Sequence, residues 1–132
     1  MKITADTNVL LRLILPDDEA QSLAAFDALE QASLVAISVH SLCEMTWVLG
    51  TRNVMPRDRI AAAIRRLVEA KNVVVNRAAV QAGLDVLDAG GDFADGVIAF
   101  DGRWLGGETF VSFDKKAEKS LKGRGVATLL LS

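Results

Sequence analysis

The stretch "TFVSFDKKAEKSLKGRGVATLLL", residues 109–131, contains in small compass the pattern that decides the fold. "TFVSF" is a short strand of β-branched and aromatic residues. "DKKAEKSLK" reads as a charged helix closed by Gly123, and "VATLLL" as a last strand. Strand, helix and strand in succession make a parallel pair, because parallel neighbours need a crossover connection between them.

The same alternation runs back to the start of the chain. "KITAD" (2–6) is a short strand, and "NVLLRLIL" (8–15) is a helix broken by Pro16. "DDEAQSLAAFDALEQA" (17–32) is an amphipathic helix with Asp17 or Asp18 near its start. "LVAISV" (34–39) is a continuous apolar strand, followed by the helix "SLCEMTWVLGT" (41–51). "PRDRIAAAIRRLVEA" (56–70) carries Pro56 in its first turn, where proline is tolerated. "NVVVN" (72–76) is a strand, "RAAVQAGLDVLDA" (77–89) a helix stopped by Gly90 and Gly91, and "DFADGVIAFDGRWL" (92–105) a further helix. The strands lack in–out alternation, which suits burial on both faces. The expected fold is α/β, with a mostly parallel central sheet of about five strands and helices on both faces. In such folds the functional crevice lies beyond the carboxyl ends of the strands.

The totals agree. The 132 residues, 51% hydrophobic, allow one compact domain with a real core, and no linker or repeat interrupts it, so residues 1–132 are expected to form a single domain. No stretch approaches the roughly 18 apolar residues of a membrane span. "MKITAD" meets an acid at Asp6, which leaves no signal-peptide core there. The single cysteine, Cys43, excludes an internal disulfide and fits a reducing compartment, so a cytoplasmic protein is expected. The net charge of −2 argues against a broad nucleic-acid coat. Local basic character exists all the same: Lys115, Lys116, Lys119, Lys122 and Arg124 crowd one segment, as a solvated helix face or as a phosphate contact.

The acids are placed more tellingly. Asp6 follows the first strand, Glu44 lies in the first turn of the helix after the second, and Asp114 follows "TFVSF". Asp92 and Asp95 occupy the first turn after the Gly-Gly break. Each has a local explanation. Ser41 and Glu44 stand in capping-box relation, Asp92 and Asp95 imitate one, and Asp114 can cap its helix. Helix caps explain Asp6, at the end of a central strand, less well. In a parallel fold, Asp6, Glu44 and Asp114 gather at one sheet edge, and Asp92 and Asp95 complete the group from the side. Clustered carboxylates repel and raise each other's pKa, and a divalent cation is the simplest compensation. Mg²⁺ or Mn²⁺ suits such hard oxygen donors. With one His and one Cys, zinc chemistry and a Cys-His nucleophile lack support. His40 reads as a packed or solvent-touching residue. No phosphate-binding loop of the G-x-x-x-x-G-K-[ST] kind is present.

Four segments, "ADTNVLLRL" (5–13), "SVHSLCEMTWVL" (38–49), "DFADGVIA" (92–99) and "FVSFDKKA" (110–117), occur in this order along almost the whole chain. In them the chain resembles the PIN-domain family of metal-dependent ribonucleases, and within it the small VapC-type toxins of toxin–antitoxin pairs. The resemblance implies a three-layer PIN-like fold. It implies that Asp6, Glu44 and Asp95 are the core acids, with Asp114 the fourth, that they are catalytic, and that they hold Mg²⁺ or Mn²⁺. It implies supporting roles around that site for Thr7, Asn8, Asp92 and Ser112. RNA is the implied substrate, with Lys115 and Lys116 beside Asp114 placed to meet phosphate. A small antitoxin laying a helix in an apolar groove is the implied partner; the surplus of apolar residues would also suit a homodimer, though core demand alone explains it equally. One departure is Gly96, where the family more often has alanine; by propensity alone the glycine costs about 1 kcal/mol.

The alternative is a non-enzymatic PIN-like or receiver-like binding or signalling domain. A phospho-receiver needs an acceptor Asp after a central strand, absent from "NVVVNRAAV", and a lysine where Asp114 stands. A dehalogenase-like phosphatase needs an Asp two residues after Asp6, and that residue is Asn8. The intact acids argue against a PIN domain that only binds.

Overall fold

A computed structural model describes residues 1–132, which form two compact units, Met1–Asn76 and Arg77–Ser132. The first unit contains β1 (Lys2–Thr4), α1 (Thr7–Ile14), α2 (Glu19–Gln31), β2 (Leu34–Ala36), α3 (Val39–Thr51), α4 (Arg57–Glu69) and β3 (Val73–Val74). The second contains α5 (Arg77–Asp88), α6 (Phe93–Trp104), β4 (Thr109–Ser112), α7 (Lys115–Gly123) and β5 (Ala127–Leu130). Every strand and helix expected from the periodicity is present.

In the first unit the sheet order is β1-β2-β3, with both pairs parallel and Ile3, Val35 and Val73 in register. β2 stands at the centre and β1 at an edge of this sheet, so Asp6 does not follow its central strand. β2 is also shorter than the apolar run 34–39, because Ser38 already caps α3 by accepting from the Ser41 N–H. Pro16 ends α1 as expected, with the Leu15 N–H closing the last turn onto the Leu11 carbonyl. Asp18, not Asp17, caps α2. Pro56 is the N-cap of α4 rather than a residue of its first turn, its carbonyl accepting from Arg59 and Ile60. The Asn72 side chain donates to the Leu29 and Ala32 carbonyls at 2.8 and 3.0 Å, fixing the entry to β3 against the end of α2. Leu10, Leu42, Met45, Leu49 and Ile64 form the fully buried core. Outside that core, Leu13 of α1, Phe26 and Leu29 of α2, and Ala63 and Leu67 of α4 line an apolar groove of about 610 Å³, with Glu30, Arg59 and Arg66 among its walls.

In the second unit β4 and β5 are parallel, with Val111 opposite Leu129. α7 crosses between them and buries Ala117 and Leu121. Its stop is Gly125 at φ +84°, not Gly123, which is still helical. The Gly125 N–H reaches the Lys122 carbonyl and the Val126 N–H the Leu121 carbonyl, the closure that a left-handed glycine permits. α5 and α6 approach closely. A Cβ at Gly83 would lie 2.6 Å from the ring of Phe93, and one at Gly96 would strike the Ala82 carbonyl. Hydrogen bonds therefore join the five parallel strands as a set of three and a set of two, where the sequence led us to expect one central sheet.

Candidate metal centre

In the first unit, Asp6 follows β1 and caps α1, its Oδ1 accepting from the Val9 N–H at 3.0 Å. The cap explanation, thought weakest for Asp6, therefore holds there. Thr7 and Asn8 are the first two residues of α1, half-buried and exposed. β1 and β2 are parallel in register, so Asp6 and the start of α3 leave the same edge of this sheet. For Glu44 the cap explanation fails. The cap of α3 is Ser38, three residues before Ser41, which puts Glu44 in the second turn rather than the first, out of reach of the helix start. Its Oε1 instead stands 2.7 Å from His40 Nε2, one turn back on the same helix. His40 is thus solvent-touching but engaged. The spacing H-x-x-x-E was legible as an i, i+4 pair, and the sequence reading passed over it.

In the second unit, Asp114 caps α7 by accepting from the Lys116 and Ala117 N–H groups at 2.9 and 3.2 Å. The Ser112 hydroxyl accepts from the Asp114 backbone N–H at 2.9 Å, so Ser112 shapes the turn that presents this acid. Asp92 is the N-cap residue of α6, yet its side chain makes no cap hydrogen bond. The capping-box imitation is therefore absent, although the Asp95 N–H does close onto the Asp92 carbonyl at 3.1 Å. Asp95 is half-buried, and its carboxyl is held above the usual aspartate range, first by burial and then by the carboxylates of Asp92 and Asp114. Three of the expected acids thus share one electrostatic neighbourhood. Lys115 and Lys116 are exposed in the first turn of α7, directly after Asp114.

No group of three or more His, Cys, Asp or Glu side chains stands close enough together to hold a metal ion ready-made. The chemistry of the donors nevertheless fits a hard divalent cation. They are carboxylate oxygens, and the charged form of Asp95 is disfavoured by its neighbours in the way a bound cation would reverse.

A family model for the PIN domain matches residues 3–120, a span that takes in all of these acids. The chain belongs to the PIN domain family. No curated protein matches it. PIN domains are α/β proteins and commonly Mg²⁺-dependent nucleases, so membership points to a metal-dependent nuclease acting on nucleic acid. No helix is long and apolar enough to cross a membrane.

Proposed function

We propose that this PIN domain is a ribonuclease in which Asp6, Glu44, Asp95 and Asp114 hold Mg²⁺ or Mn²⁺, with residues 1–132 acting as one nuclease domain. The observation that carries the reading is the half-buried Asp95 carboxyl, held above the usual aspartate range first by burial and then by the charges of Asp92 and Asp114. Such repulsion is costly in a fold and useful in a cation site. The family match over residues 3–120 spans all four acids.

The bound ion would activate a water and neutralise charge on the scissile phosphodiester. The chain's own part is to supply and aim the carboxylates. Caps fix Asp6 and Asp114 rigidly to the first turns of α1 and α7. Ser112 sets the Asp114 turn, Thr7 and Asn8 extend the Asp6 turn, and Asp92 keeps Asp95 poised for a cation. Lys115 and Lys116 would meet backbone phosphates of RNA beside the site. Five Phe, two Trp and no Tyr provide little platform for base stacking.

The domain would act in the cytoplasm as the toxin of a toxin–antitoxin pair, inhibiting growth by cutting RNA. The apolar groove between α1, α2 and α4 supports a partner that docks a helix there. Val111 and Leu129, opposed across β4 and β5 and half exposed, support a homodimer; a monomer in light scattering would count against it.

Incubating purified protein with a mixed RNA pool tests the activity, in Mg²⁺ or Mn²⁺ and in EDTA, beside Glu44→Ala prepared identically. Cutting that needs metal and is lost in the variant supports the nuclease. Cutting that persists in EDTA or in the variant would refute the proposed site.

A further inference from the structure

We infer that α7 is a track for the sugar–phosphate backbone of single-stranded RNA, along which Lys119 and Lys122 carry the strand onward from Lys115 and Lys116. Lys115, Lys119 and Lys122 stand at i, i+4 and i+7, so they line one face of the helix. Ala117 and Leu121 are buried on the opposite face, and Lys116 is exposed beside the stripe. At 1.5 Å per residue the stripe is about 10 Å long, enough to reach successive phosphates of one strand.

Like charges at this spacing destabilise a helix unless acids are interspersed. Here the fold draws both nearby acids away from the lysines. Asp114 accepts with Oδ1 from the Lys116 and Ala117 backbone N–H groups. Glu118, the only acid within α7, accepts from the Thr128 hydroxyl of β5 at 3.3 Å. No ion pair engages the side chains of the four lysines. Arg124, just past the end of the same helix, is by contrast paired with Asp85 at 3.5 Å and lies outside the track. On a chain of net charge −2 such a face is a local positive field, which steers a polyanion to one place. The exposed residues of α7 include no apolar side chain, so the helix lacks what one that inserts among lipid headgroups needs.

The stripe does not depend on a metal ion. That its polyanion is RNA rests on the function proposed above. The test is therefore binding of fluorescein-labelled oligouridylate to the full chain in EDTA, followed by anisotropy between about 50 and 200 mM salt. Each phosphate neutralised on a single strand contributes about 0.7 to the slope of log affinity against log salt. Lys119→Gln/Lys122→Gln should flatten that slope by about 1.4 and weaken binding at the low-salt end, with a melting temperature no lower than that of the wild type. Lys2→Gln/Lys71→Gln removes the same charge from exposed positions of the first unit and should keep the wild-type slope. An unchanged slope in the α7 variant, an equal loss in the control, or no binding by the wild type would overturn the track. So would a lower melting temperature of the α7 variant, which would give the lysines a structural role. Binding to phosphatidylglycerol vesicles without binding to oligouridylate would overturn it in favour of a membrane surface. Expected binding without cleavage of RNA in any metal would leave the track standing and remove the nuclease. Metal-dependent cleavage with an unchanged slope in the α7 variant would do the reverse.

Discussion

Gly96 rests directly on the backbone of Ala82: a Cβ added at position 96 would collide with the Ala82 carbonyl oxygen and lie 2.9 Å from the Gly83 Cα. The obstacle is helix backbone, which cannot swing aside as a side chain would. α5 and α6 would have to part, and the Phe93 ring seated over Gly83 would lose its close contact. Overpacking of this kind costs about 1–3 kcal/mol, more than the roughly 1 kcal/mol alanine returns in helix propensity. We expect Gly96→Ala to lower stability by up to about 2 kcal/mol in urea denaturation. A gain in stability would show that the helices separate without cost.

The raised Asp95 carboxyl has a signed consequence for pH. Its folded-state pKa lies above the unfolded value, so the fold favours the protonated form. Below the ordinary aspartate value both states are protonated and no penalty exists. Stability is lost as pH rises through the folded value. In EDTA at pH about 7, Asp95→Asn should therefore melt higher than the wild type, and the difference should vanish on acidification to about pH 3. A lower melting temperature for Asp95→Asn at neutral pH would contradict the repulsive neighbourhood.

Asp114 has two roles with opposite signs. As a cap it accepts from Lys116 and Ala117; as a charge it disfavours ionised Asp95. Asparagine keeps the acceptor and removes the charge, while alanine removes both. In EDTA, Asp114→Ala should lose about 1 kcal/mol, and Asp114→Asn should be at least as stable as the wild type. Equal stability of the two variants would mean that the cap contributes nothing.

These predictions also show what was legible in advance. The order of all twelve elements follows from apolar runs punctuated by proline and glycine, and the cap at Asp114 follows from an acid placed just before a helix, whereas Asp6 was expected to be the acid a cap explains least. Boundaries were harder. Ser41 with Glu44 matches a capping box, but Ser38 three residues earlier captures the helix start, and only the folded chain shows which serine wins. Gly123 and Gly125 are equivalent as letters, and the left-handed turn falls at the second. Gly96 looked like a small propensity cost because its neighbour on α5 lies more than ten residues away in sequence. The division of the strands into three and two was equally hidden, since hydrophobic periodicity finds strands and not their hydrogen-bonded partners.

The most direct test of the proposed carboxylate site compares RNA cleavage rates in Mn²⁺ for the wild type, Asp6→Asn and Asp95→Asn. Both changes keep side-chain shape. Asparagine at position 6 also retains an acceptor for the Val9 N–H, so folding is preserved. We expect both variants to lose at least about a hundredfold in rate, the scale on which loss of a group that stabilises the transition state is felt. Full activity in either variant would contradict the proposed metal-dependent nuclease site.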